Sequence, residues 1–387
     1  MKPSKRIAPV FWGVWLAALL GLSACRPAGP EEAAGAASAP APAASAAQQA
    51  QAGAGPERQT AAAAAGSAAS AMARSRAVAA SIQQPVRRIV VLNSDGLEAL
   101  RLLEADDRVV GVFSGITHEA GLWPEKAKLP HVGRWSEPNV EAIAQLKPDV
   151  VIHYHKSSAH LEDRLRPLGI KVLRMDFYKV HTLEQEMSLL GELLGRPEQA
   201  RRFNAWHRGI LQRVQQQLSG LPAKARVYLE NYSDYSAAGP GSGLHELCDL
   251  AGCLNIAAGL KTPYPKVTPE WVVAAKPDML LKVYGKVDGY TLQDAGEYNR
   301  IRQQMMARPA WQHIQAVRAG QVHVVDGSLT SGPRVGVAVA YIAHWLYPQQ
   351  MQSIDPDALH QEYLERFMRV PFKGRYFSDP AQNRASS

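Results

Sequence analysis

The chain carries two glutamates at matching places in a pattern that occurs twice. In the first copy, Asn139-Val140-Glu141-Ala142-Ile143 runs through Lys147-Pro148-Asp149 into Val150-Val151-Ile152. In the second, Thr268-Pro269-Glu270-Trp271-Val272 runs through Lys276-Pro277-Asp278 into Met279-Leu280-Leu281. The aspartate follows the glutamate by eight residues in both. Asn139 and Thr268 are good helix N-caps, and Pro269 sits at the first helical position, where a missing N–H costs nothing. Each copy predicts a short helix, a proline stop and a buried strand. Glu141 and Glu270 fall in the first turn, where a carboxylate meets the positive end of the helix dipole and contributes about 0.3–1 kcal/mol. Singly, each reads as a helix-stabilising charge. As a duplicated pair they suit docking, one carboxylate per lobe, onto a two-fold symmetric partner with basic pockets.

A second set of residues lies just after the predicted strands, where parallel α/β sheets collect ligands. It includes Asn93-Ser94-Asp95, Gly133-Arg134-Trp135, His153-Tyr154-His155-Lys156, Asp176-Phe177-Tyr178, the stretch from Asn231 to Tyr235, Pro263-Tyr264-Pro265, Tyr284-Gly285-Lys286 and the turn ending in Arg334. Aromatic rings with polar tips fit a large, partly polar ligand, which makes Trp135, Tyr154, Tyr178, Tyr232 and Tyr284 the candidate ligand-binding residues. Arg334 is the candidate partner for a carboxylate or catecholate, with Arg134 and Lys156 behind it. The competing readings are lobe packing for Trp135 and a structural ion pair in the C-terminal lobe for Arg334. His153-x-His155 places two imidazoles on one face of a strand end, but isolated histidines are more often structural, and no protein-held metal is expected.

Enzyme chemistry finds less support. Gly239-Pro240-Gly241-Ser242-Gly243 is shifted from a nucleophile elbow and lacks the Gly-Lys-Ser/Thr ending of a phosphate loop. It reads as the opening of a helix carrying His245 and Glu246. No Ser–His–Asp set can be nominated. An exported α/β hydrolase-like enzyme is the rival class and an adhesion or scaffold lipoprotein the third; the paired Glu segments argue against both.

The elements that must position these groups alternate in kind. Short β-branched runs at 89–92, 109–112, 150–153 and 172–175 are separated by helical patterns at 96–103 and 159–166, and the plan repeats with strands at 227–230, 279–283 and 322–325. Such alternation implies parallel sheets with helices on their faces. Between the two halves, residues 182–218 carry apolar side chains at helical spacing, interrupted at Gly195-Arg196-Pro197. One long helix, or two, would cross from lobe to lobe there. The expected fold is therefore α/β, with two Rossmann-like lobes joined by a helical backbone and a ligand cleft between them. Its divisions are a signal segment (1–24), an Ala/Pro-rich flexible tether (25–84), an N-terminal lobe (85–181), the backbone (182–220) and a C-terminal lobe (221–380). Apolar helices at 335–346 and 357–368 close the chain.

At the N-terminus, Lys2, Lys5 and Arg6 precede an apolar stretch too short to span a membrane comfortably, ending in Leu22-Ser23-Ala24-Cys25. Three cysteines less one at this site leave Cys248 and Cys253. An even count in an exported chain suggests a disulfide; two small buried residues on a packed helix are the alternative. The 387 residues suffice for two lobes, and the net charge of +8 is scattered, with no basic, aromatic-interleaved stripe of the kind nucleic acid needs.

From about Val86 to about Pro380 the chain resembles the iron-siderophore, haem and cobalamin family of periplasmic substrate-binding proteins. The resemblance rests on Arg88-Ile-Val-Val-Leu92, both Glu segments, Leu168-Gly-Ile-Lys-Val172, Leu247-Cys-Asp-Leu-Ala-Gly-Cys-Leu-Asn-Ile256 and Gly320-Gln-Val-His-Val-Val325. It implies a monomeric receptor with no intrinsic cofactor and no catalysis. It also implies delivery of a metal chelate (a ferric siderophore first, haem or cobalamin otherwise) to an ATP-driven ABC importer. By motif position, Glu141 and Glu270 would meet arginines of the permease dimer. Leu22-Ser-Ala-Cys25 resembles a lipobox, which implies lipidation of Cys25 and a periplasmic protein anchored to a membrane, inner or outer.

Overall fold

The computed structural model describes residues 56–379. The signal segment and Cys25 lie outside the described residues. Helix α1 (Pro56–Ala80) precedes the first lobe. That lobe contains β1 (Ile89–Val91), α2 (Ser94–Leu102), β2 (Val109–Val112), α3 (Val140–Gln145), β3 (Val150–His153), α4 (Leu161–Leu165) and β4 (Lys171–Arg174). Helices α5 (Val180–Leu193) and α6 (Pro197–Gln217) form the crossing. The second lobe begins with β5 (Arg226–Glu230), α7 (Gly243–Leu250), β6 (Leu254–Asn255), α8 (Pro269–Ala275) and β7 (Met279–Tyr284). It continues with α9 (Gly296–Met306), α10 (Gln315–Arg318), β8 (Val322–Asp326), α11 (Val335–Leu346) and α12 (Pro356–Glu362).

Each lobe has a four-stranded parallel sheet, in the orders β2-β1-β3-β4 and β6-β5-β7-β8. Strands β1, β3, β7 and β8 are buried along their whole length, as parallel strands covered on both faces must be. The two-residue strand β6 escapes the sequence reading because Leu254-Asn255 is too short for any alternation. Gly195 breaks the crossing as expected, with Pro197 starting α6, which runs for 21 residues, roughly 30 Å. Phe203, Ile210 and Val214 of α6 are buried in one large core with the apolar α11 and the inner sheet faces of both lobes.

The duplicated motif folds the same way twice. Asn139 Oδ1 accepts from Ala142 N and Thr268 Oγ1 from Trp271 N, capping α3 and α8. Lys147 and Lys276 take positive φ (45° and 48°) to end those helices. Asp149 Oδ2 then accepts from Arg87 N and Arg88 N at the foot of β1 (2.7 and 2.8 Å), and Asp278 Oδ2 from Arg226 N at the foot of β5 (2.8 Å). Arg88 and Arg226 return the contact, donating to the carbonyls of Leu146 and Ala275. The Lys-Pro-Asp signature thus ties each helix end to its lobe's first strand. Glu141 and Glu270 stay exposed.

One division moves. Residues 56–80, expected within the flexible tether, are helical, and the end of α1 packs on α5 and β4. Met72, Ser75 and Ala79, with Ile82 just beyond, are buried. Their spacing of three, four and three is one helical face, but with only two large apolar side chains it is hidden in the surrounding alanines. Cys248 and Cys253 face each other with Cα atoms 5.2 Å apart, within disulfide range.

Candidate functional site

The carboxyl ends of the two sheets converge on a cluster of aromatic rings. On the N-terminal side, Asn93 Oδ1 caps α2 by accepting from Gly96 N (2.7 Å), and Asp95 in that first turn is buried. Tyr154, just past β3, donates its hydroxyl to Asp95 Oδ2 (2.8 Å). Its ring stands edge-on to Trp135 (6.3 Å between centroids) and to Tyr178 (5.7 Å), a favoured aromatic geometry. Tyr178 N donates to Asp176 O, and its ring lies so close to the start of α7 that a Cβ on Gly243 would approach it to 3.0 Å.

On the C-terminal side, Tyr232 lies on the loop after β5. An ion-pair network shapes that loop: buried Glu230 receives Lys282 Nζ (2.7 Å) and both terminal Arg308 nitrogens (2.7 and 2.8 Å), while exposed Asp234 receives the same two cations. Tyr235 N also donates to Glu230, fixing the turn. The Tyr232 ring then rests over Gly285 and Gly327, beyond the ends of β7 and β8; a Cβ on either would meet it at 2.8 and 2.7 Å. Trp135, Tyr232 and Tyr264 are 53%, 54% and 48% exposed, large apolar surfaces of the kind a ligand covers.

Two carboxyl groups near the rings are pushed towards their neutral forms. Burial, aided by the neighbouring Glu98 charge, pushes Asp95 up to about 7, against the Tyr154 hydrogen bond that lowers it. Burial and the charges of Glu98 and Asp95 push Glu119 up to about 8. Tyr154 is raised well above its ordinary value by burial, by Asp95 and by nearby Tyr232 and Tyr178, which places rings from both lobes in one field.

Four of the six residues nominated for ligand binding, Trp135, Tyr154, Tyr178 and Tyr232, come together here. Tyr284 does not: it is buried against Tyr298 and donates to Glu297 Oε1 (2.6 Å) on α9. Arg334 is fully buried, and its guanidinium pairs with Glu98 of the opposite lobe. The lobe-spanning partner is what sequence could not supply, because Glu98 lies 236 residues away. Asp95 stood among the strand-end residues but was not singled out, and Glu119 was not nominated, since nothing local marks a carboxyl that tertiary packing will desolvate.

The histidine and serine weighed for other chemistries are held in structural contacts. His153 is buried, held neutral to about 4 chiefly by that burial, and sits by Ser158 Oγ (3.3 Å). No group of three metal-ligating side chains converges among the described residues. Ser242 is the buried N-cap of α7, accepting from His245 N and donating to Gly239 O. Ser75, His155 and Asp176 have the connectivity of a catalytic triad (Oγ to Nε2 3.2 Å, Nδ1 to Oδ1 3.5 Å). However, Ser75 is 1% exposed and donates its proton to the Arg174 carbonyl (2.6 Å), so its oxygen cannot meet a substrate. A hollow of about 450 Å³ beside α1, α5 and α6 is lined mainly by polar side chains and shares no residue with the aromatic cluster.

Two parallel lobes on a helical backbone, with rings converging from both, define a binding protein. The periplasmic binding protein profile matches residues 89–329, and the chain belongs to that family. Its class is that of the substrate-binding proteins that serve ABC importers. The vitamin B12-binding protein of Salmonella paratyphi A is 29% identical over 191 residues, covering 49% of this chain and 68% of the relative. The molybdate-binding protein MolA of Haemophilus influenzae is 24% identical over 325 residues, covering 76% and 89%. Its molybdate-bound structure superposes with a TM-score of 0.66 at 21% identity, over 76% of this chain and 96% of that one. The TroA-like FepB of Veillonella parvula gives 0.64 at 20% identity, over 76% and 95%.

Proposed function

We propose that this protein is a lipid-anchored receptor that captures a bulky metal chelate of low negative charge, a corrinoid first, and delivers it to an ABC importer. The observation that carries the ligand class is the aromatic cluster, whose neighbouring carboxyls Asp95 and Glu119 are pushed towards their neutral forms, while Arg334, the cation first nominated for an anionic chelate, is committed to Glu98. Extended faces of Trp135, Tyr154, Tyr178 and Tyr232 suit a flat or globular ligand with apolar surface and neutral amide groups. A tri-anionic catecholate ferric siderophore would find Arg334 already paired with Glu98, which weighs against it. The similarity to vitamin B12-binding proteins supports the same choice. The ferric siderophore expected from the sequence becomes the second reading, restricted to chelates without net negative charge.

Glu141 and Glu270 are the docking groups for the permease dimer and its ATPase. Both are exposed at the N-termini of matching helices, each tied rigidly to its lobe through Asp149 and Asp278. Cys25 is the lipidation site, and the receptor works as a periplasmic monomer. Intrinsic tryptophan fluorescence of the soluble chain should be titrated with cyanocobalamin, neutral and anionic ferric siderophores, haemin and molybdate. Saturable submicromolar quenching by cyanocobalamin is expected. Tight binding of molybdate or of a catecholate chelate instead would refute the charge argument.

A further inference from the structure

Helix α1 reaches the ligand site from behind. Its buried face, Met72, Ser75 and Ala79, lies on α5 and β4. Ser75 Oγ stands 2.6 Å from the carbonyl of Arg174 and 3.2 Å from His155 Nε2. A hydroxyl has one proton, and the shorter contact to a carbonyl, which can only accept, takes it. Ser75 Oγ is therefore left to accept Nε2–H from a His155 ring whose Nδ1–H turns to the carboxylates. On its other side, His155 Nδ1 faces Asp176 Oδ1 (3.5 Å) and Glu186 Oε1 (3.9 Å).

Those two carboxylates hold both aromatic loops of the N-terminal lobe. Asp176 Oδ1 accepts from His155 N (3.0 Å), the residue after Tyr154. Glu186 of α5 accepts from Asp176 N (3.0 Å) and Phe177 N (2.6 Å), the two residues before Tyr178. Asp176 also holds Lys179 Nζ (2.9 Å). Arg174, whose carbonyl receives Ser75, donates to the Tyr154 carbonyl (2.7 Å) and is itself pinned by Glu162. Hydrogen-bonded paths from α1 through His155 and Arg174 thus reach the backbone beside Tyr154 and Tyr178.

We infer that α1 is a positioning strut of the ligand site: Ser75 orients His155 and, through Asp176, sets the edge-to-face Tyr154–Tyr178 pair. The segment in front of the lobe is then part of the receptor and not only its tether. The ligand arm of the test rests on the reading proposed above; the exchange arm does not.

The test uses the full chain with three substitutions. Met72→Asp undocks α1, Ser75→Ala removes only the hydroxyl, and Arg74→Ala on the exposed face is the control. Hydrogen exchange is followed in residues 153–160 and 175–180, and the His155 ring is read by its ¹⁵N shifts, which report the hydrogen bonding of each ring nitrogen. Met72→Asp is expected to raise exchange in both loops by roughly tenfold or more while the C-terminal sheet stays protected. Ser75→Ala should alter the His155 ring signature and weaken cyanocobalamin binding roughly tenfold, the scale of one hydrogen bond, with Arg74→Ala silent. Undocking of α1 with unchanged exchange in both loops would overturn the strut, and so would an unaltered His155 signature in Ser75→Ala. If the wild type binds none of the probes, the corrinoid reading fails, while the exchange and ring signatures still decide the strut.

Discussion

Arg334 and Glu98 form a fully buried ion pair across the lobes, with Nη2 2.5 Å from Oε1 and Nε 3.3 Å from Oε2. Tyr363 donates a further hydrogen bond to the same carboxylate, and its ring lies 5.3 Å beneath the guanidinium. A second cross-lobe contact, Gly121 N to Asp288 Oδ2 (3.1 Å), reinforces it. The ion pair therefore staples the lobes together at a point where sequence alone suggested a ligand contact.

Breaking that staple on one side should be costly, because the remaining charge is left buried without its partner. Arg334→Met is expected to lower stability by about 3–5 kcal/mol, read from the urea midpoint. Adding Glu98→Leu should recover a large part of it. Equal losses in the single and double variants would show that the pair is not what holds the lobes.

Charge reversal at the two glutamates proposed to dock should separate transport from binding. Glu141→Arg with Glu270→Arg is expected to abolish importer-dependent uptake in cells. Because both side chains are exposed, stability should change by less than about 1 kcal/mol and ligand affinity not at all. A weakened affinity in the purified variant would remove the docking role.

Removing Asp95's charge should change how stability depends on pH. Its carboxyl is raised from 3.8 to about 7 in the folded state, so between those values the native protein binds more protons than the unfolded chain. Stability from this group is present at low pH and falls as pH rises towards 7. Buried His153 and His207, both lowered to about 4 mainly by burial, act oppositely and lose stability as pH falls below 6.5. Asp95→Asn is therefore expected to melt higher than wild type at pH 8 and no higher at pH 4. A constant difference across that range would exclude ionisation of Asp95 as the cause.

Among the aromatic residues, placement should sort effect. Trp135→Ala and Tyr232→Ala remove half-exposed rings from the converging cluster and should each weaken cyanocobalamin binding by roughly 10- to 100-fold. Tyr284→Phe should leave affinity unchanged and cost about 1 kcal/mol through its lost bond to Glu297. The reverse ranking in a fluorescence titration would move the site towards α9.

Cys248 and Cys253 should be bridged in the exported protein. Peptide mapping without reductant is expected to show the linked pair. Replacing both with alanine should cost about 2 kcal/mol by the loop-closure argument for so short a loop, and detection of two free thiols would rule the bridge out.

The alternation of apolar runs and helical patterns was enough to read two parallel α/β lobes, because strand and helix periods are local properties. The duplicated Glu…Lys-Pro-Asp segment was legible for the same reason: capping, helix termination and the strand-foot contacts of Asp149 and Asp278 are set within one motif and its neighbouring strand. Aromatic residues at strand ends could be nominated because a parallel sheet exposes those loops on one edge. What tertiary structure decided was orientation and partner choice. Tyr284 turned into α9, Arg334 found Glu98 from the other lobe, and Asp95 became buried. The Ala-rich stretch ending at Ala80 docked through Met72 and Ser75. Each outcome depends on surfaces far apart in the chain, and burial, which sets the cost of a charge, exists only once those surfaces have met.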